Sequence, residues 1–451
     1  MTEQKPSIAQ NSLHTFVSLT AIVGLRFIMT VLIVRTLGPV GQGIYYLLIT
    51  FYSLTLQIMS LGVQTANSVF LSKRQHGLSE VHTATVVLVV TFGLVAATIY
   101  FFLSPLIHAT LLKGVDLQYG WLVIAVFPLG LYSFFWQGIM IGLEKISQLN
   151  KVELSGVVLQ IVLLALFLSL GYGLTGVLFA WGASLFIVAF AGWRIIAKEY
   201  PIKWVLNVRL LRESIRFGFA SQWGEVARML ITRSDVFLLN LLTGPELVGY
   251  YSVALSLAEK LWIAYTSMYR ASTRKLQALS TEKSAQLLTQ VSSGMSFVVL
   301  IAAVFLAIIS PWLLPFLYGS EYTRSVIPFI ILLAGLIPYG VWAGVRIYIT
   351  GQLYRPNLTS TIQWVSFLVS VVIYYSLIRQ FGLEGAALGS TLSYFFLCLA
   401  GIFALSRLVP IKPLAFFIIQ KEALYSYSQT GLKWLSQMIS SRHKARQEGV
   451  G

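Results

Sequence analysis

Apolar runs of about 20 residues, each long enough to cross a roughly 30 Å hydrocarbon core as a helix, recur along the chain as far as Leu408. A water-soluble fold has no surface on which to place them. With 57% hydrophobic and 11% charged residues, the chain lies far from the roughly 25% charged make-up of soluble domains. The bilayer is therefore its solvent, and the fold class is an all-α integral membrane protein. The periodicity predicts twelve spans, at 13–34, 44–70, 83–106, 119–141, 152–171, 174–194, 216–241, 248–270, 291–314, 325–350, 360–379 and 384–406.

The formal charge of +16 would suggest nucleic acid in a soluble protein, but here the spans sort it. Loops on the side that holds both termini carry 23 Lys and Arg. The other side carries four, namely Arg35, Lys113, Arg324 and Arg379. By the positive-inside rule both termini are expected in the cytoplasm, with no role for nucleic acid. The five remaining basic residues, Arg26, Arg228, Arg233, Lys260 and Arg346, fall inside spans. The N-terminus leads straight into a full-length span, so that span is expected to stay in the mature protein. The sole cysteine, Cys398, excludes a disulfide framework and a Cys-based metal site, and no metal or organic cofactor is expected.

The chain resembles itself. Gly38, Pro39, Gly43 and Tyr45 recur 206 positions on as Gly244, Pro245, Gly249 and Tyr251. Gly142, Gly173, Leu174 and Gly176 recur 209 positions on as Gly351, Gly382, Leu383 and Gly385. Chance matching of turn residues is the bland alternative, weakened by the near-constant offset. Two six-helix halves of equal orientation follow, a parallel repeat of the kind transporters use. The predicted organisation is an N-lobe at 1–194, a basic joint at 195–215, a C-lobe at 216–408 and a basic amphipathic tail at 409–451. In that tail Leu424, Leu432, Leu435 and Ile439 recur at helical spacing.

Four spans carry polar stripes at steps of three or four residues, which is one face of a helix. The second shows Ser53, Gln57, Ser60, Gln64 and Asn67, and the eighth Glu259, Thr266, Arg270 and Thr273. The first shows Thr15, Ser18, Arg26 and Thr30, and the seventh Ser221, Glu225, Arg228, Thr232 and Asp235. A charge at mid-bilayer costs at least about 2.5–3.5 kcal/mol, so such residues face a protein interior or a wet cavity. A polar cavity between the halves, lined by spans one, two, seven and eight, is the expectation. Glu225 and Arg228 stand one turn apart and can simply pair. Arg26 has no acid within a turn and must meet another helix or an anionic ligand; Arg346 shares that lack. Tyr250, Tyr251, Trp262 and Tyr265 can stack on sugar rings or form an interfacial belt.

Enzyme signals fail on context. GYGLTG matches a dinucleotide fingerprint but lacks a βαβ unit, and neither a Walker A lysine loop nor HExxH occurs. The Asn357-Leu-Thr359 glycosylation match falls on the predicted cytoplasmic side, where it is chance.

Several strings together resemble the polysaccharide-transporter branch of the multidrug/oligosaccharidyl-lipid/polysaccharide exporter (MOP) superfamily. They are VRTLGPVGQGIYYLL, SLGVQTANSVFLSKR, RSDVFLLNLLTGPELVGYYSVALSLAEKL, FLYGSEY and GLEGAALGSTLSY, in that order. The resemblance runs from about Asn11 to Leu408 and implies a Wzx-type flippase of the bacterial inner membrane. Such a protein turns an undecaprenyl-diphosphate-linked oligosaccharide from the cytoplasmic to the periplasmic leaflet by alternating access of two lobes, and serves a polysaccharide polymerase machinery. It further implies cavity cations, for which Arg26, Arg228, Arg233, Lys260, Arg346 and Arg270 are the candidates. Glu225, Asp235 and Glu259 are the candidates for proton or sodium coupling. The competing readings are a cation-coupled multidrug antiporter of the same superfamily, which should favour acids in its cavity, and a membrane glycan polymerase, which needs larger outer loops.

Overall fold

The computed structural model describes residues 8–199 and 207–418, with side chains from Ala21 onward. The side chains of Thr15 and Ser18, residues 200–206 of the joint and the tail from residue 419 lie outside what is described.

Among the described residues thirteen α-helices make the twelve expected passes, and there is no strand. In the N-half they are α1 (Ile8–Met59), α2 (Val63–Ser72), α3 (Leu78–Ala109), α4 (Leu117–Gly142), α5 (Ile146–Ser169) and α6 (Gly173–Glu199). In the C-half they are α7 (Val208–Ile231), α8 (Ser234–Thr243), α9 (Pro245–Ala258), α10 (Trp262–Ala278), α11 (Thr281–Tyr318), α12 (Val326–Gly351) and α13 (Pro356–Ser406). Eight described helices are long and apolar enough to span a bilayer. Two of them, α1 and α13, reverse direction inside their length at Gly38 and Gly382, and so make two passes each. Passes seven and eight are split, as α7–α8 and α9–α10; α8, α9 and α10 are each too short to span singly, and α7 is too polar.

The repeat is visible in the backbone. Gly38 has φ 64° and ψ −179°, and Gly244 has φ 92° and ψ 175°. Both sit in a positive-φ conformation that disfavours side chains. Each precedes a proline, Pro39 or Pro245, whose missing N–H suits the first turn of the returning helix. The two turns then meet each other. A Cβ on Gly43 would lie 1.8 Å from the Pro245 carbonyl oxygen, and one on Gly249 would lie 1.9 Å from that of Pro39. This reciprocal contact marks a pseudo-twofold axis between the halves.

Three interruptions fall in the polar passes. The second pass breaks at Leu61 and Gly62, with φ 43° and 72°. The seventh breaks at Thr232 and Arg233, and the eighth tightens into a 3-10 turn at Glu259–Leu261. Broken backbone at membrane depth survives where protein or a wet cavity receives its freed groups.

Candidate functional site

The lobes meet differently on their two sides. On the side away from the basic loops, the Gly43–Gly249 contact is flanked by a hydrogen bond from Gln42 Nε2 to Ser252 Oγ at 3.0 Å. Arg35 donates to the carbonyls of Phe316 and Leu317, the Tyr322 hydroxyl to that of Val34, and Asn240 to those of Leu111 and Lys113. That side is shut.

On the basic side one seam is closed, between α2 and α7. Gly62 and Gly218 are in backbone contact, and Gln222 of α7 donates to the Gln57 carbonyl and, at 2.7 Å, to Ser60 Oγ. Phe70 packs on Phe217 with ring centroids 5.7 Å apart. Beyond them His76 Nε2 lies 3.4 Å from Glu213 Oε2. The other seam is looser: α10 has its main contacts with α11 and α12 of its own half. Arg26 and Ile28 on α1, and Ile263, Thr266, Ser267 and Arg270 on α10, are exposed. Among the described residues no N-half helix packs closely on α10, which leaves that seam open on the basic side.

The C-half wall of the expected cavity carries the densest charge. Glu225 of α7 accepts from Arg228 Nε at 2.6 Å on one oxygen and from Arg346 of α12 at 2.6 Å on the other. The three side chains are each about one third exposed, at 32–33%. Arg228 also donates to the Tyr339 hydroxyl at 3.4 Å. Tyr339 in turn stacks on Trp262, with centroids 4.2 Å apart. One carboxylate cannot neutralise two guanidiniums, so this wall keeps a surplus positive charge and guanidinium donors that Glu225 does not use.

Nearby, Arg233 grips Glu259 with two hydrogen bonds, of 2.6 and 3.1 Å. That pair is internally neutral. Arg26 forms no ion pair among the described residues, and the acid whose charge it acts on is Glu153 of α5. Its backbone carbonyl accepts from Thr30. Lys260 and Arg270 are exposed.

Several predicted cavity residues lie elsewhere. Gln64 reaches Gln137 at 3.4 Å, and Asn67 is buried, donating to Thr85 Oγ1 and the Phe135 carbonyl inside the N-half. The break at Leu61–Gly62 restarts the helix in a new phase, so α2 does not extend the face set by Ser53, Gln57 and Ser60. Thr232 and Asp235 are likewise buried past the break in pass seven. Asp235 accepts from Tyr251 and from Ser390 at 2.8 Å within the C-half, not in the cavity. Ser221 stays exposed and bonds its own helix at Gly218, as Ser53 does at Ile49. Tyr250, Tyr251 and Tyr265 are buried, which removes them from both the stacking and the belt readings. Gln222 and Tyr339, which no stripe singled out, belong to the site. Gln222 follows Ser221 directly and shares the polar end of the stripe, whereas nothing in the sequence marks Tyr339.

Residues 8–273, more than half of the chain, match the family described as polysaccharide biosynthesis protein. The chain belongs to that family. No curated protein is similar enough in sequence to match. Among solved structures, this family member resembles a lipid II flippase, MurJ, in an inward closed conformation. The TM-score is 0.70 at 16% identity, covering 95% of this chain and 93% of that one. It also resembles an inward-facing multidrug resistance MATE transporter of the MOP superfamily, with TM-score 0.68 and 17% identity over 87% and 97% of the two chains. A MOP transporter from Pyrococcus furiosus, described as having a binding pocket of reverse polarity, gives 0.62 at 15% identity over 88% and 95%. At these identities the likeness is one of fold, and the polysaccharide biosynthesis protein has the two-lobe MOP architecture.

Proposed function

We propose that the protein is a flippase that carries a diphosphate lipid-linked oligosaccharide from the cytoplasmic to the periplasmic leaflet, for O-antigen or exopolysaccharide assembly. What carries this reading is the pair Arg228 and Arg346 on the single acceptor Glu225, facing the polar cavity expected between the halves. Planar guanidiniums hold phosphate oxygens two at a time. At an effective dielectric of about 20, a cation 4 Å from a phosphate charge is worth about 4 kcal/mol before desolvation. The excess of basic loops supports an opening toward the cytoplasm of the inner membrane, where such a substrate is made. Moving each negative charge outward through about 100 mV, inside negative, releases about 2.3 kcal/mol. The family to which the chain belongs and its fold likeness to a lipid II flippase support the same reading.

A coupling ion, proton or sodium, would act on the carboxylates of the C-half. Asp235 is buried within the C-half, and Glu259 is paired with Arg233. Transport that keeps its dependence on pH and sodium gradients in both Asp235→Asn and Glu259→Gln removes these two from that role. The polysaccharide polymerase machinery is the partner expected on the product side.

The test is transport of a fluorescent polyprenyl-diphosphate oligosaccharide in proteoliposomes. Arg228→Ala and Arg346→Ala should each lower the rate at least about tenfold, the loss of one charge-assisted contact. Lysine at either site should keep part of it. Normal rates in both well-inserted alanine variants refute the anion site, and efflux of an organic cation in their place would establish the multidrug antiporter.

A further inference from the structure

Away from the central cavity, the N-half carries an apolar hollow of about 290 Å³ on its outer face, between α3, α4 and α6. Val89, Pro128, Tyr132, Phe186, Phe190 and Trp193 line it. Its origin is local. Pro128 lacks an N–H and interrupts the ladder of α4. Gly93 brings α3 against that point, where a Cβ would meet Pro128 Cγ at 3.0 Å. The Tyr132 hydroxyl is already engaged by His82 at 2.9 Å, so the wall offers hydrocarbon.

Phe186, Phe190 and Trp193 are 52, 46 and 41% exposed on a surface that faces lipid, so whatever fills the hollow comes from the bilayer. Its mouth on the basic side is not neutral. The guanidinium of Arg194 lies over the Phe190 ring, 5.9 Å from the centroid, and forms no ion pair among the described residues. Lys198 is exposed one turn further along α6. A guanidinium stacked on a ring keeps its in-plane N–H donors free, and these match two phosphate oxygens. Trp193, beside Arg194, is the residue type that settles at headgroup depth.

We propose that this is a binding site for one anionic phospholipid of the leaflet on the basic side, with an acyl chain in the hollow and the phosphate on Arg194. The hollow is at the lower end of the roughly 300–1,000 Å³ of ligand clefts, which suits one chain rather than a packed helix about 10–12 Å across. Two cations beside it select a lipid with net negative charge over a zwitterion. None of its lining residues belongs to the C-half, so the site is independent of the flippase reading.

The test is native mass spectrometry of the full chain released from nanodiscs that contain equal phosphatidylglycerol and phosphatidylethanolamine. Wild type should retain one phosphatidylglycerol in preference to phosphatidylethanolamine. Arg194→Gln should lower that retention about tenfold, the effect of losing one charge-assisted contact. Val86→Trp, which fills the hollow without changing charge, should lower it as well. Should Val86→Trp fail to insert, the exposed Arg194→Gln decides alone. Undiminished retention in Arg194→Gln, equal retention of the two lipids, displacement by a polyprenyl phosphate, or a dimer of the chain in place of the lipid overturns the proposal.

Discussion

Arg346 of α12 binds the same carboxylate as Arg228 of α7, although 118 positions separate the two arginines in sequence. Glu225 is therefore the brace that keeps two like charges side by side, and the cavity wall depends on it.

Removing the brace has a defined cost. Glu225→Gln leaves two partly buried guanidiniums without their counter-charge, a loss of about 2 kcal/mol given that a third of each side chain is exposed. Thermal unfolding should move down by a few degrees. Adding Arg346→Met to Glu225→Gln removes the unpaired repulsion and should restore most of the shift. An unchanged midpoint in Glu225→Gln would show that the triad does not hold the wall.

The outer closure depends on the absence of two side chains. Gly43→Ala or Gly249→Ala would place a Cβ less than 2 Å from a carbonyl of the opposite half, which forces the two turns apart. In either variant a cysteine introduced by Ser252→Cys should become reactive to an impermeant thiol reagent from outside. Protection equal to that in the parent would show that the closure tolerates the added methyl.

The start of α7 has a pH dependence set by Glu213. The Arg209 side chain, hydrogen-bonded at 2.9 Å, holds the Glu213 carboxyl below the usual range, helped by the charges of Arg209 and His76. A depressed acid contributes fully above its unfolded value, about 4.3 for Glu, and loses that contribution as pH falls through its lower folded value. The first turns of α7, which Arg209 and Glu213 pin one turn apart, should therefore lose protection from amide exchange as acid protonates Glu213. In Glu213→Gln the acid-side change should vanish, and its persistence would assign it to another group.

Topology can be read with the natural cysteine in place, because Cys398 is buried at 1% exposure. Gly114→Cys and Ser320→Cys should label from outside intact cells, and Arg74→Cys and Arg355→Cys should label only after permeabilisation. The reverse pattern would invert the orientation inferred from the basic loops.

The twelve passes and their all-helical class were legible in the sequence, and the charge of the loops carries an expected side for each. The reason is that the bilayer imposes a length on every apolar run and a sign on the loops, and both are local properties. The repeat was legible because Gly38 and Gly244 answer to backbone angles that leave a mark at one position. The cavity was legible only as far as its helices stay regular. A periodic stripe assumes one continuous helix, and at Leu61–Gly62 and Thr232–Arg233 the chain breaks that assumption. Asn67 and Asp235 then turn into the lobes, where Thr85, Tyr251 and Ser390 satisfy them. The pairing of Arg228 with Glu225, one turn apart, was legible in the sequence, but the other pairings were decided by tertiary structure. Arg346 finds Glu225 at a separation of 121 residues, and Arg233 passes over its neighbour Asp235 for Glu259, because helix packing rather than chain distance sets who lies within 3 Å.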